Sequence, residues 1–129
     1  MDSDPEVVTK TSPRSVSETV SRFLDIANAH NVKVFSVIDQ RKEALSVGLE
    51  LREMTLVIFG NPRAGTPVME AEPLAALDLP LKLLVWDSDD ATKVSYVSPA
   101  ALAARYNLDA DLTGHLAAID VLSEELIAP

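Results

Sequence analysis

Leu56-Val57-Ile58-Phe59 and Leu83-Leu84-Val85-Trp86 are apolar at every position. Successive side chains along a strand point to opposite faces, so strands of this kind are apolar on both sides. Neither run approaches the ~20 residues of a membrane-spanning helix. Val34-Phe35-Ser36-Val37-Ile38 has the same character, with Val34 and Ile38 directed one way and Phe35 and Val37 the other. Helices of the same chain can cover one face of such a sheet. The second face needs more chain, another subunit or an apolar ligand. A homodimer is the expected answer, since closed two-fold assemblies are the commonest.

The remaining elements follow from local chemistry. Residues 1–5 read as a short acidic tail, and residues 6–129 as one domain. Glu6–Lys10 is a brief strand. Ser15-Val16-Ser17-Glu18 fits a capping box that opens a helix, with Val16, Val20, Phe23, Leu24 and Ala27 at helical spacing and Asn31 as a left-handed stop. Strands are expected at Val32–Asp39, at Val47–Leu51 by its alternation, at Met54–Phe59, at Leu81–Asp87 and at Lys93–Val97. Thr66 as cap with Pro67 as first residue predicts a short helix interrupted at Pro73. Ser98-Pro99 repeats that signal for a helix through Tyr106 stopped by Asn107. Leu112, Leu116, Ile119, Leu122 and Leu126 predict a single C-terminal helix. The expected class is α+β: a mainly antiparallel sheet of about five or six strands with helices packed on one face.

Composition narrows the function. At 129 residues and 47% hydrophobic content, the chain can bury a real core. It has no cysteine, which excludes disulfides, thiol nucleophiles and thiolate metal sites. The net charge of −9 argues against nucleic acid and anionic membranes as general partners. A cytoplasmic protein is expected, for the opening Met-Asp-Ser-Asp lacks the marks of a signal peptide. Much of the charge is concentrated after Arg105, on Asp109, Asp111, Asp120, Glu124 and Glu125 without a Lys or Arg. That segment reads as a solubilising face.

With the segments placed, the sequence resembles a bacterial family known as domain of unknown function 302. Val34–Asp39, Val47–Arg52, the stretch Leu56-Val57-Ile58-Phe59-Gly60-Asn61-Pro62-Arg63-Ala64-Gly65-Thr66-Pro67-Val68-Met69, Leu77–Lys82, Ser95–Ala100 and Leu102–Tyr106 carry the resemblance. It implies a β-α-β(4)-α fold similar to the TATA-binding-protein arrangement, as a homodimer, and brings no activity. Gln40 and Tyr106 stand where family members often have histidine, which counts against imidazole chemistry or metal ligation at those positions.

The strongest candidate site is the Gly60–Pro67 loop leading into a helix. Unpaired helix amides with Arg63, and Lys82 nearby, could hold a carboxylate or phosphate, with Gly60, Asn61, Gly65 and Thr66 shaping the loop. The first reading is therefore a homodimeric module that binds a small anionic or apolar ligand. The second is an enzyme in which Asp39 and Glu50, desolvated among apolar neighbours, exchange protons with help from Lys82. The third is a structural or interaction protein. Asp87-Ser88-Asp89-Asp90 lacks the glycine and glutamate of an EF-hand loop and reads as a turn. His30 and His115 are expected near helix ends, and no metal or cofactor is expected.

Overall fold

The computed structural model describes residues 5–129; the tail read over 1–5 lies outside them apart from Pro5. In chain order the elements are β1 (Val7–Ser12), α1 (Val16–Ala29), β2 (Lys33–Asp39), α2 (Gln40–Leu45), β3 (Met54–Gly60) and α3 (Pro62–Ala71). They continue with a 3-10 helix (Pro73–Asp78), β4 (Leu81–Asp87), β5 (Thr92–Val97), α4 (Pro99–Tyr106), α5 (Ala110–Gly114) and α6 (Ala118–Ile127). The five strands form one antiparallel sheet in the order β1-β5-β4-β3-β2. The expected α+β class is thus what the chain adopts.

Because β1 and β2 are the two edges, α1 crosses the whole sheet to join them. Its capping box is formed as expected, with the Glu18 amide donating to Ser15 Oγ at 3.2 Å. Asn31 takes the left-handed stop at φ 56°. The buried stripe is Val16, Thr19, Phe23, Ile26 and Ala27; Leu24 faces outward. Beneath it Phe59 meets Phe23 edge-on, ring centroids 4.9 Å apart, and Val57, Leu83, Val85, Val94 and Tyr96 complete the core with α6. A second core cluster of Val68, Ala75, Leu102 and Leu116 lies where the sheet meets α3, the 3-10 helix and α4.

Three sequence expectations fail, each for a physical reason. Val47–Leu51 is not a strand: β3, which follows it in the chain, is paired on both sides with β2 and β4 and cannot take it as a hairpin partner. Gly48 at φ 77° also turns the chain there, and Leu45, Val47 and Leu49 end up exposed. The helix expected from Thr66 starts instead at Pro62 with Asn61 as its cap and carries Pro67 inside. The single C-terminal helix is two, broken at His115–Ala117, so that Leu112 and Leu116 serve the second core while Ile119, Leu122 and Leu126 serve the first.

The face of the sheet opposite α1 bears Ile38, Leu56, Ile58, Leu84 and Trp86. None of them belongs to either core cluster. On that face Trp86 Nε1 donates to Ser95 Oγ at 2.9 Å, which lays the indole along the sheet toward β5.

Candidate functional site

The loop that follows β3 borders a cavity whose lining is largely apolar. A bulge in β2 between Val34 and Ser36 returns Val34 and Val37 to the helix-covered side and Ile38 to the open side. Phe35 is the extra residue without a partner in β3, and it remains 46% exposed. A bulge of this kind re-aims one side chain out of the sheet. Phe35 is thereby delivered to the mouth of a cavity of about 260 Å³ between α3, the Leu79–Leu81 segment and His115–Leu116. The walls are largely apolar: Pro62, Met69, Leu79, Pro80, Leu81 and Leu116.

Of the residues expected to bind ligand, Gly60, Asn61, Gly65 and Thr66 line this cavity, whereas Arg63 and Lys82 do not. The α3 terminus also offers no free amides for an anion. Pro62 has no N–H, the Arg63 amide donates to Asn61 Oδ1 at 2.9 Å, and the Ala64 and Gly65 amides both donate to Asn61 O at 2.9 Å. Asn61 thus consumes the donors that an anion would need. Lys82 Nζ instead donates to Pro80 O at 3.3 Å and adds its positive field at Asp78.

Helix α3 departs from ordinary helix composition. Gly65 lies in its interior, where glycine costs about 1 kcal/mol relative to alanine. A Cβ there would meet nothing closer than Met69 Cε at 3.9 Å, and its φ is not positive. Packing and backbone conformation therefore do not require glycine at 65. Its visible consequence is open space in the cavity wall. Pro67 in turn leaves the Arg63 carbonyl without its intrahelical donor.

Asp39 and Glu50 do not form the expected carboxylate pair. Asp39 accepts the Lys42 amide at 3.0 Å as the cap of α2. Both residues are exposed and not buried among apolar neighbours. They also line different surface depressions, Glu50 with Arg41 and Arg52, and Asp39 with Val37 and Thr55. Asp87–Asp90 is the expected turn, Asp87 Oδ1 accepting the Asp89 amide at 2.9 Å. Among the described residues no cluster of His, Asp or Glu could hold a metal ion. Gln40 begins α2 beyond the Asp39 end of β2, whereas Tyr106 packs against the second core beside Leu79 and Leu81. The two positions lie toward opposite ends of seven-residue strands, about 20 Å long, so one chain could not join them in a single ligand set.

Tyr106 has a different partner. Its hydroxyl donates to Asp78 Oδ2 in a short hydrogen bond, and Arg105 Nη1 donates to the same oxygen at 2.9 Å. The Tyr106 bond, then Arg105, holds the Asp78 carboxyl below its ordinary range against the opposing effect of burial. Sequence reasoning missed Phe35, Met69, the Leu79–Leu81 segment and Leu116 as cavity residues. One signal was available: Phe59 pairs with Leu81, so the residues flanking that pair, Gly60 and Pro80, must be neighbours. The β3–β4 register was needed to use it.

Residues 8–126 match the family described as domain of unknown function DUF302. The chain belongs to the DUF302 family. The crystal structure of an uncharacterized conserved DUF302 protein from Bacillus stearothermophilus superposes with a TM-score of 0.81, covering 96% of this chain and 97% of that one at 21% identity. The DUF302 chain is also 38% identical over 107 residues to a protein of Brucella suis named fluoride-specific ion channel FluC 1. Proteins of Brucella abortus and Brucella melitensis, named FluC 1 and FluC 2, match at the same identity and length. These matches cover 81% of this chain but 42%, 39% and 39% of the relatives, so it spans about two-fifths of their length. No helix among the described residues is long and apolar enough to cross a membrane.

Proposed function

We propose that this DUF302 chain is a cytoplasmic homodimeric module that binds a small apolar or amphiphilic molecule in the cavity behind Phe35. The observation that carries this reading is a cavity of about 260 Å³ walled by side chains from distant parts of the chain, beside a helix whose interior glycine serves no packing need. A dry apolar cavity of about 150 Å³ holds a benzene ring, so this one has room for a larger ligand. Departures from good local sequence–structure agreement tend to fall at functional sites, and α3 holds two of them in Gly65 and Pro67. The second copy is proposed to cover the open face of Leu56, Ile58, Leu84 and Trp86, together with the exposed Leu45, Val47 and Leu49. An isologous pairing would bury the same patch on both subunits. The absence of cysteine suits a reducing compartment.

Thermal unfolding with 2-phenylethanol tests the pocket. The alcohol should raise the midpoint of the wild-type protein by mass action. Gly65→Leu, which improves helix propensity while filling the cavity, should remove the rise without loss of helical circular dichroism. An equal rise in both proteins would place the binding elsewhere.

A further inference from the structure

The polar atoms around the cavity mouth narrow the ligand's chemical class, an inference that rests on the pocket reading above. Three polar side chains line it: Asn61, Thr66 and His115. Asn61 Oδ1 is committed to the Arg63 amide, which leaves its amide N–H groups as donors. The Thr66 hydroxyl forms no hydrogen bond with another residue among those described. His115 caps the end of α5, its side chain is 32% exposed, and its Nε2 lies 4.0 Å from Asp111 Oδ2. It is the only ionisable side chain in the lining, and the Lys33 ammonium stands 5.0 Å over the Phe35 ring at the mouth. The Asn61 N–H groups, the Thr66 hydroxyl and the His115 imidazole can each donate a hydrogen bond to a ligand head at the rim.

That inventory selects against a phosphate. Phosphate recognition uses Arg or Lys forks or the free amides of a helix N-terminus. Here the α3 amides are spent on Asn61, and neither Arg63 nor Lys82 reaches the lining. A ligand head with one negative charge and two acceptor oxygens matches a few neutral donors, one imidazole and a single ammonium at the mouth, with no guanidinium in the lining. The volume sets the tail. Scaling from benzene in about 150 Å³ gives room for about ten non-hydrogen atoms.

We infer that the pocket takes a small aromatic or short-chain carboxylic acid, its apolar body between Met69, Leu79 and Leu116 and its carboxylate at the rim with His115 and Thr66.

Calorimetric titration with phenylacetate, 2-phenylethanol and phenyl phosphate tests this on the full chain. The expected result is phenylacetate bound about tenfold more tightly than the alcohol, with phenyl phosphate no better than the alcohol. In His115→Leu the acid should lose its advantage while alcohol binding persists. Equal binding of acid and alcohol, or an acid preference that survives His115→Leu, would overturn the carboxylate inference and leave the pocket reading standing. Tighter binding of phenyl phosphate than of phenylacetate would overturn it as well. Failure of all three probes to bind would overturn the pocket reading itself.

Discussion

Asn61 decides the chemistry of the site by what it takes away. Its side chain and its carbonyl absorb the amides at the start of α3, so a loop that resembles an anion cradle in sequence becomes the rim of an apolar hollow. Nothing in the residue order distinguishes these outcomes, because Asn61-Pro62 and Thr66-Pro67 are equally good cap-and-proline pairs. The choice falls to the first because β3 stays paired through Gly60, opposite Lys33, and the helix starts where pairing stops. Tyr106 shows a second single-residue effect. Its bond holds the Asp78 carboxyl below its ordinary range, so the unfolded chain binds more protons in acid. The resulting stability is present above about pH 4 and is lost as pH falls through the folded pKa. Tyr106→Phe should therefore lower the urea midpoint at neutral pH, with the gap to wild type narrowing in acid. A gap as wide at about pH 3 as at about pH 7 would contradict the assignment.

At the scale of elements, the acidic C-terminal segment is a latch and not merely a solubilising face. Helix α6 has no basic residue in its last turn, a poor arrangement for its dipole. The missing cations come from elsewhere in the chain. Arg14 donates to Leu126 O at 3.0 Å and Ala128 O at 2.8 Å, and Arg22 donates to Leu126 O at 3.2 Å and Glu125 O at 2.9 Å. Glu124 meets Lys10 at 2.8 Å and Glu125 meets His30 at 2.8 Å. Beneath them Tyr96 donates to Asp120 Oδ1 at 2.6 Å and Lys10 donates to Ser123 Oγ at 2.6 Å. Arg14→Ala should cost about 1–2 kcal/mol in urea unfolding, and Arg22→Ala should move stability in the same direction; unchanged midpoints would refute the latch. Elements with strong local signals were legible from sequence: the Ser15–Glu18 capping box, the Asn31 and Asn107 stops, and the apolar runs of β3 and β4. Those decided by tertiary context were not. Val47–Leu51 alternates as a strand should, yet β3 had no free edge. The stripe from Leu112 to Leu126 is continuous in sequence, yet it is divided between two cores.

For the whole molecule, the doubly apolar strands are the feature that the fold only half resolves. Helices α1 and α6 cover one face, and Leu56, Ile58, Leu84 and Trp86 remain outside both cores of the chain. Sedimentation equilibrium should give twice the chain mass, and Leu84→Glu, a charge placed in the middle of that face, should give the monomer. A wild-type monomer at micromolar concentration would remove the dimer from the account. The cavity lies at another part of the molecule, its walls drawn from the second core, α3 and the bulge of β2. The measurement that addresses it most directly is an isotope-filtered nuclear Overhauser spectrum of the labelled protein saturated with 2-phenylethanol. Contacts are expected from the ligand ring to the Phe35 ring, the Met69 methyl and the Leu116 methyls. Contacts confined to Leu84 and Trp86 on the open sheet face, or none at all, would contradict it.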